Sequence, residues 1–271
     1  MPLIDVNGIE LFYKREGSGE PLVMIPGMSA NHLDWPDSYT GLLKDHFDLV
    51  TFDGRGCGDS GVCTEPFTIA ELADDVAGLI SALGLGSAHI MGISMGAQVA
   101  LELAVSHPDL VRTLTAGGAS PGVDRIPANQ ATIDMLARGL GVGVAGDRRG
   151  GLEILHEVNS SVEFARDIEA RDRIVDGRLS RPAPSVDVMT WSMGACITHD
   201  ILDRLHEVSA PTLLIYGSED RLVPVANAKL IHDRIAGSRV ELIEGAGHVY
   251  FLQFPELSAQ MIIDFVQSVA S

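Results

Sequence analysis

The chain opens on alternating positions: Leu3, Ile4 and Val6, then Ile9, Leu11 and Tyr13, with Asn7-Gly8 between the halves. Asn and Gly tolerate the positive φ of a tight hairpin turn, so the pattern predicts two short antiparallel strands over residues 2–16. After Gly17-Ser18-Gly19 comes Leu22-Val23-Met24-Ile25, a short apolar run expected of a strand covered on both faces, and Pro26-Gly27 ends it. The same grammar recurs. Residues 47–52 read as a strand closed by Asp53-Gly54-Arg55-Gly56. Residues 69–84 place Ile69, Leu72, Val76, Leu79, Ile80 and Leu83 at a helical period, with Thr68 and Glu71 set as a capping box and Gly84 and Gly86 as the stop. A strand over 88–93, a small-residue helix over 95–106 and a strand over 110–116 follow.

Residues 121–203 break the rhythm. Helical patterns at about 129–140, 151–173 and 185–203 are interrupted by Gly139-Leu140-Gly141-Val142-Gly143 and by Arg181-Pro182-Ala183-Pro184. Beyond them the pattern resumes with a strand over 211–216, a helix over 224–236, a strand over 239–243 and a closing amphipathic helix over 255–269. Alternating strands and helices imply an α/β fold with a mostly parallel twisted sheet between helices. The core is expected to be 1–120 with 204–271, and 121–203 a helical insertion.

Composition narrows the function. Lys and Arg number 19 against 37 Asp and Glu, a formal charge of −18, and so acidic a surface repels phosphate backbones; no nucleic-acid partner is expected. The three Cys (57, 63 and 196) form no disulfide framework and are read as free thiols, Cys57 and Cys63 being the one pair that could meet. No Cys-x-x-Cys or His-Glu-x-x-His occurs, so no metal is expected. The first residues lack the order of a signal peptide and no apolar run is long enough to span a bilayer; a cytoplasmic protein without membrane association is expected.

The decisive segment is Gly92-Ile93-Ser94-Met95-Gly96, which follows an apolar strand and opens a helix. A nucleophile at such an elbow needs strained backbone angles, and glycines two before and two after relieve the crowding. Ser94 is therefore the candidate nucleophile. A serine hydroxyl needs a base. Of nine His, His248 stands apart, because Glu244-Gly245-Ala246-Gly247 swings it over the strand ends where parallel-sheet sites gather. The base in turn needs an acid, and Ser218-Glu219-Asp220-Arg221 follows another strand, leaving Asp220 and Glu219 as rivals. Two backbone amides must meet an oxyanion. Met95, directly after the nucleophile, is one candidate. Met28, in the loop turned by Gly27, is the other.

These segments together resemble the α/β-hydrolase superfamily along nearly the whole chain. Val6-Asn7-Gly8-Ile9-Glu10-Leu11 through Gly17-Ser18-Gly19-Glu20-Pro21 is similar to the start of its esterase, non-heme haloperoxidase (perhydrolase) and enol-lactonase branch. Asp53-Gly54-Arg55-Gly56-Cys57-Gly58-Asp59-Ser60, Asp220-Arg221-Leu222-Val223-Pro224, and Gly247-His248 with Pro255-Glu256 resemble further motifs of that branch. The resemblance implies the α/β-hydrolase fold, the order Ser94, Asp220, His248 for a catalytic triad, and no cofactor. It makes 121–203 the lid. It implies a small-molecule ester or lactone substrate, with Gly27, His32, Trp35, Met135, Met189, Trp191 and Met193 as candidate pocket residues suited to a bulky apolar ester or macrocyclic lactone. Acyl transfer to peroxide, slow-turnover ligand binding and C–C bond hydrolysis are the alternatives. Two departures stand out: Pro26 replaces the His usual after the third strand, and Ser94 replaces the Asp of the dehalogenase and epoxide-hydrolase branches.

Overall fold

The computed structural model describes residues 2–122 and 125–270. Eight strands form one sheet: β1 (Leu3–Val6), β2 (Ile9–Gly17), β3 (Glu20–Ile25), β4 (Phe47–Phe52), β5 (Ala88–Ile93), β6 (Val111–Gly117), β7 (Thr212–Gly217) and β8 (Arg239–Ile243). Their spatial order is β1-β2-β4-β3-β5-β6-β7-β8, with β1 and β2 antiparallel and β3 to β8 parallel. The opening hairpin turns where Asn7 (φ 51°) and Gly8 (φ 81°) supply the left-handed angles.

The helices are α1 (Asp37–Lys44), α2 (Ile69–Ala82), α3 (Met95–Ser106), α4 (Gln130–Val144), α5 (Arg148–Asn159), α6 (Ile168–Leu179), α7 (Val186–Thr198), α8 (Ala226–His232), α9 (Tyr250–Gln253) and α10 (Pro255–Ala270). The Thr68–Glu71 capping box forms at the head of α2. Neighbouring side chains of one strand point to opposite faces, so β3 divides its apolar run between two cores. Val23 and Ile25 join the cluster beneath α2 and α3, whereas Leu22 and Met24 join the one beneath α1 and α10.

The region between β6 and β7 departs from its sequence pattern. The span 151–173 is two helices, α5 and α6, separated near Ser160-Ser161. The glycine run at 139–143 does not interrupt α4, which continues to Val144. Its glycines serve packing: a Cβ on Gly151 of α5 would lie 2.7 Å from Gly139 O and 2.8 Å from Gly143 N, so the two helices meet backbone to backbone. Helix α1, not anticipated, buries only Tyr39, Thr40 and Leu43 and so leaves a weak apolar signature. The stretch between β6 and β7 is drawn together near its two ends. Gly122 bridges Asp200, Ile201 N–H donates to Pro121 O at 2.8 Å, and Arg125 donates to Asp200.

Two predictions follow from packing and burial. Alanine gains up to about 1 kcal/mol over glycine inside a helix. Gly194→Ala, in open space on α7, should therefore stabilise the protein, while Gly151→Ala should lose about 1–3 kcal/mol because its new methyl meets immovable backbone, both read by urea denaturation. Burial holds the His89, His156 and His199 imidazoles below their ordinary range. The unfolded chain then binds protons that the folded one refuses, so stability should fall as pH drops through about 6.5. Urea midpoints compared above and below that pH check the sign, and His156→Gln should flatten the dependence.

Candidate functional site

The site is assembled at the carboxyl ends of the parallel strands. Ser94 lies between β5 and α3 at φ 58° and ψ −121°, an angle pair that costs a residue with a Cβ on the order of 1–3 kcal/mol. Close packing holds it there. A Cβ on Gly92 would stand 2.1 Å from Gly96 O, and one on Gly96 would stand 2.3 Å from Ile25 O and 2.5 Å from Pro26 O. Ser94 N–H donates to Gly117 O at 2.9 Å, fixing the elbow to the end of β6. The hydroxyl-bearing residue thus caps the amino end of a twelve-residue helix, where the field favours negative charge.

Met95 is the first residue of α3, so its N–H has no intrahelical acceptor. The Met28 amide belongs to the turn 27–30, closed by Ala30 N–H donating to Gly27 O at 3.2 Å, with Ser29 at φ 59°. Gly27 faces Ser94 directly, since a Cβ on it would meet the Ser94 Cβ at 3.5 Å. Met28 thus follows the residue that packs on Ser94, and Met95 follows Ser94 itself.

Asp220 follows β7 and its carboxylate is fully buried. Oδ1 accepts from the amides of Leu222 (3.0 Å) and Val223 (2.8 Å), and Oδ2 stands 2.7 Å from His248 Nδ1. The rival Glu219 turns away and accepts from Val162 N–H at 3.2 Å. His248 is 3% exposed, and its Nε2 is buried without a hydrogen-bond partner among the described residues. No hydrogen bond links Nε2 to the Ser94 hydroxyl. Gly118 (φ 50°), after β6, forms the floor beneath the pair: a Cβ there would lie 2.8 Å from His248 Cε1 and 2.9 Å from Nδ1.

The expected pocket residues divide. Gly27 lines a cavity of about 40 Å³ together with Ser29, Arg55, Met95, Val99 and Ser192. That is roughly the volume of one or two waters, a poor match to the expected bulky ligand. Trp35 is 4% exposed and packs on Tyr39 and Phe251 in the α1/α10 core, away from this cavity. It is drawn there by apolar neighbours on the opposite face. His32 is a brace: its N–H and Nδ1 lie 2.6 and 2.8 Å from Oδ1 of the fully buried Asp53, tying the loop after β3 to the end of β4. Trp191 packs edge-on to Phe67 over the α2/α3 core. Met135, Met189 and Met193 are half-buried and outside the cavity lining. Cys57 lines the cavity, but burial pushes its thiol up to about 12, leaving it protonated and inert at neutral pH. All three cysteines are free. Gly118 was missed from sequence, although a Gly-Gly pair ending an apolar strand could have marked it. Gln253, whose side-chain amide bonds Gly247 and Ser161, was also missed and carries no such local signal.

A family profile described as the alpha/beta hydrolase family matches residues 22–260. The chain belongs to that family. This alpha/beta hydrolase is 28% identical over 257 residues to the pimeloyl-[acyl-carrier protein] methyl ester esterase of Aeromonas hydrophila subsp. hydrophila, covering 93% of this chain and 98% of the other. In structure it is similar to a thermophilic esterase from Thermogutta terrifontis, with a TM-score of 0.84 and 25% identity over 100% of both chains. It also resembles Est816, described as an N-acyl homoserine lactone degrading enzyme, with a TM-score of 0.78 and 26% identity over 97% of this chain and 100% of that one. No helix among the described residues is long and apolar enough to cross a membrane, and they hold no His, Cys, Asp and Glu cluster fit for a metal ion.

Gly118→Ala combines a left-handed backbone with a methyl driven into the imidazole. It should lower stability by about 1–3 kcal/mol, and a crystal structure of the variant should show His248 turned off Asp220.

Proposed function

We propose that the protein is a serine-dependent hydrolase of carboxylic esters or lactones, with Ser94 as nucleophile, His248 as general base and Asp220 as the acid that orients it. The observation that carries this reading is the 2.7 Å Asp220–His248 contact, which leaves Nε2 the imidazole's one unpartnered nitrogen at the strand edge where Ser94 is presented. Because Asp220 accepts at Nδ1, the neutral imidazole keeps its proton there and offers a lone pair at Nε2.

In this mechanism Ser94 Oγ attacks the carbonyl carbon while Nε2 takes its proton. The amides of Met28 and Met95 receive the developing oxyanion, each contributing on the order of 3 kcal/mol. The imidazolium then protonates the departing alkoxide, giving the acyl-enzyme. Water, deprotonated by the same imidazole, attacks the acyl carbon; the C–Oγ bond then breaks, the imidazolium returns its proton to Ser94 Oγ, and the acid is released. A lactone follows the same steps with its alkoxide still tethered. The inserted region 121–203 acts as a lid over this edge. The company of esterases and a lactone-degrading enzyme supports the bond type.

Ser94→Ala should lower kcat by at least about a thousandfold with an unchanged melting curve. p-Nitrophenyl acetate and butyrate should be turned over by the wild-type protein, with long-chain esters and γ-lactones assayed beside them. Full activity in Ser94→Ala would remove the serine mechanism.

A further inference from the structure

Both loops that carry the Asp220–His248 pair are fastened to one short piece of the inserted region. Gly247 N–H donates to Gln253 Oε1 at 2.7 Å, and Gln253 Nε2 donates to Ser161 Oγ at 2.8 Å. Ser161 N–H reaches the same Oε1 at 3.4 Å. On the other side of the histidine, Val249 N–H donates to Asn159 O at 3.1 Å. The two residues flanking His248 are thus each held by a hydrogen bond, one through Gln253 and one directly. The approach is close: a Cβ on Gly247 would lie 2.4 Å from both Ser160 C and Ser161 N. The acid loop is tied to the same piece, with Arg221 Nη2 donating to Glu157 O and Ser160 O, and Glu219 accepting from Val162 N–H.

The chemistry at position 253 is demanding. One oxygen must accept from two backbone N–H groups while a second atom engages a hydroxyl. Gln in this orientation does so, and the flipped amide would set NH₂ against two donors. With its flanking residues tethered, Gly118 beneath and Asp220 behind, the imidazole has little freedom left. Resting on the reading of His248 as the base, we propose that Gln253 is a positioning residue: it locks the histidine loop to residues 159–161, so that His248 is aimed at the Ser94 hydroxyl only while the inserted region is seated.

The test uses Gln253→Met, Gln253→Glu and Ser161→Ala in the full chain, with p-nitrophenyl acetate kinetics and the proton resonance of His248 Nδ1–H, identified by its loss in His248→Gln. Gln253→Met should lower kcat about ten- to a hundredfold with KM little changed, since displacement of a catalytic group by about 1 Å costs that much. It should also broaden the Nδ1–H signal through faster solvent exchange. Gln253→Glu keeps both acceptor bonds, and the Ser161 hydroxyl can turn to donate, so rate and signal should be largely restored. Ser161→Ala removes the Nε2 bond, together with the bond that Phe164 N–H donates to Ser161 Oγ at 3.3 Å, but leaves Gly247 N–H on Gln253 Oε1, and should fall between; it carries the test if Gln253→Met fails to fold. Wild-type kcat or an unbroadened resonance in Gln253→Met overturns the proposal, as does a rise in KM alone. The resonance is read without turnover. An active Ser94→Ala would therefore sink the serine mechanism while the tether is still judged by its own signal.

Discussion

The contact on which the site depends is the meeting of backbones where α3 runs up against the ends of β3 and β5. Gly92 and Gly96 leave no room for a methyl group on either side of Ser94. That absence of side chain lets the helix start within a residue of the strand's end. The turn places Ser94 at a positive φ, starts the helix at Met95, and leaves Gly27 of the 27–30 turn packed against the same residue. Strain at one residue is sustained by the packing of its neighbours, as expected where function needs a side chain held clear of the sheet. A methyl at Gly96 would push on Ile25 O and Pro26 O, and so would part the two amides from each other as well as tilt the helix.

Around that fixed point, the remaining parts arrive by hydrogen bonds between loops. Asp220 is immobilised by two backbone amides before it meets His248, so its second oxygen has a defined direction. The histidine loop is joined to the acid loop through Glu219 N–H donating to Ala246 O at 2.8 Å and Gly245 N–H donating to Ser218 Oγ at 2.9 Å. These are interactions of residues far apart in sequence, and their accuracy comes from the sheet, which delivers β6, β7 and β8 side by side in parallel register.

Much of this was legible in the chain itself. Apolar runs bounded by glycine marked the strands, since both faces of the sheet are covered, and Asn7-Gly8 marked the hairpin. The candidates Ser94, His248, Asp220 and Glu219 could be picked out because each sits just past a strand, where topology alone brings side chains to one edge. The inserted region was harder. Its glycines at 139–143 looked like helix breakers but permit α4 and α5 to touch, a role set by a partner helix and invisible in local pattern. Trp35 was misplaced for a related reason: an aromatic near an active loop can serve either face, and only the positions of Tyr39 and Phe251 decide which. The tethering by Gln253 and the floor at Gly118 depend on contacts across 92 and 130 residues, beyond any periodicity (the latter separation is 248 − 118 = 130).

The stem that pairs Gly122 with Asp200 has a structural corollary. Because the chain leaves and re-enters the sheet through nearly one point, the excursion between costs the core little geometry. Doubling the length of such a closed excursion adds only about 0.6 kcal/mol of closure entropy in a flexible chain. Other helices could be grafted at this junction without re-registering β6 against β7, but they would have to renew the contacts that residues 157–162 make with the loops after β7 and β8.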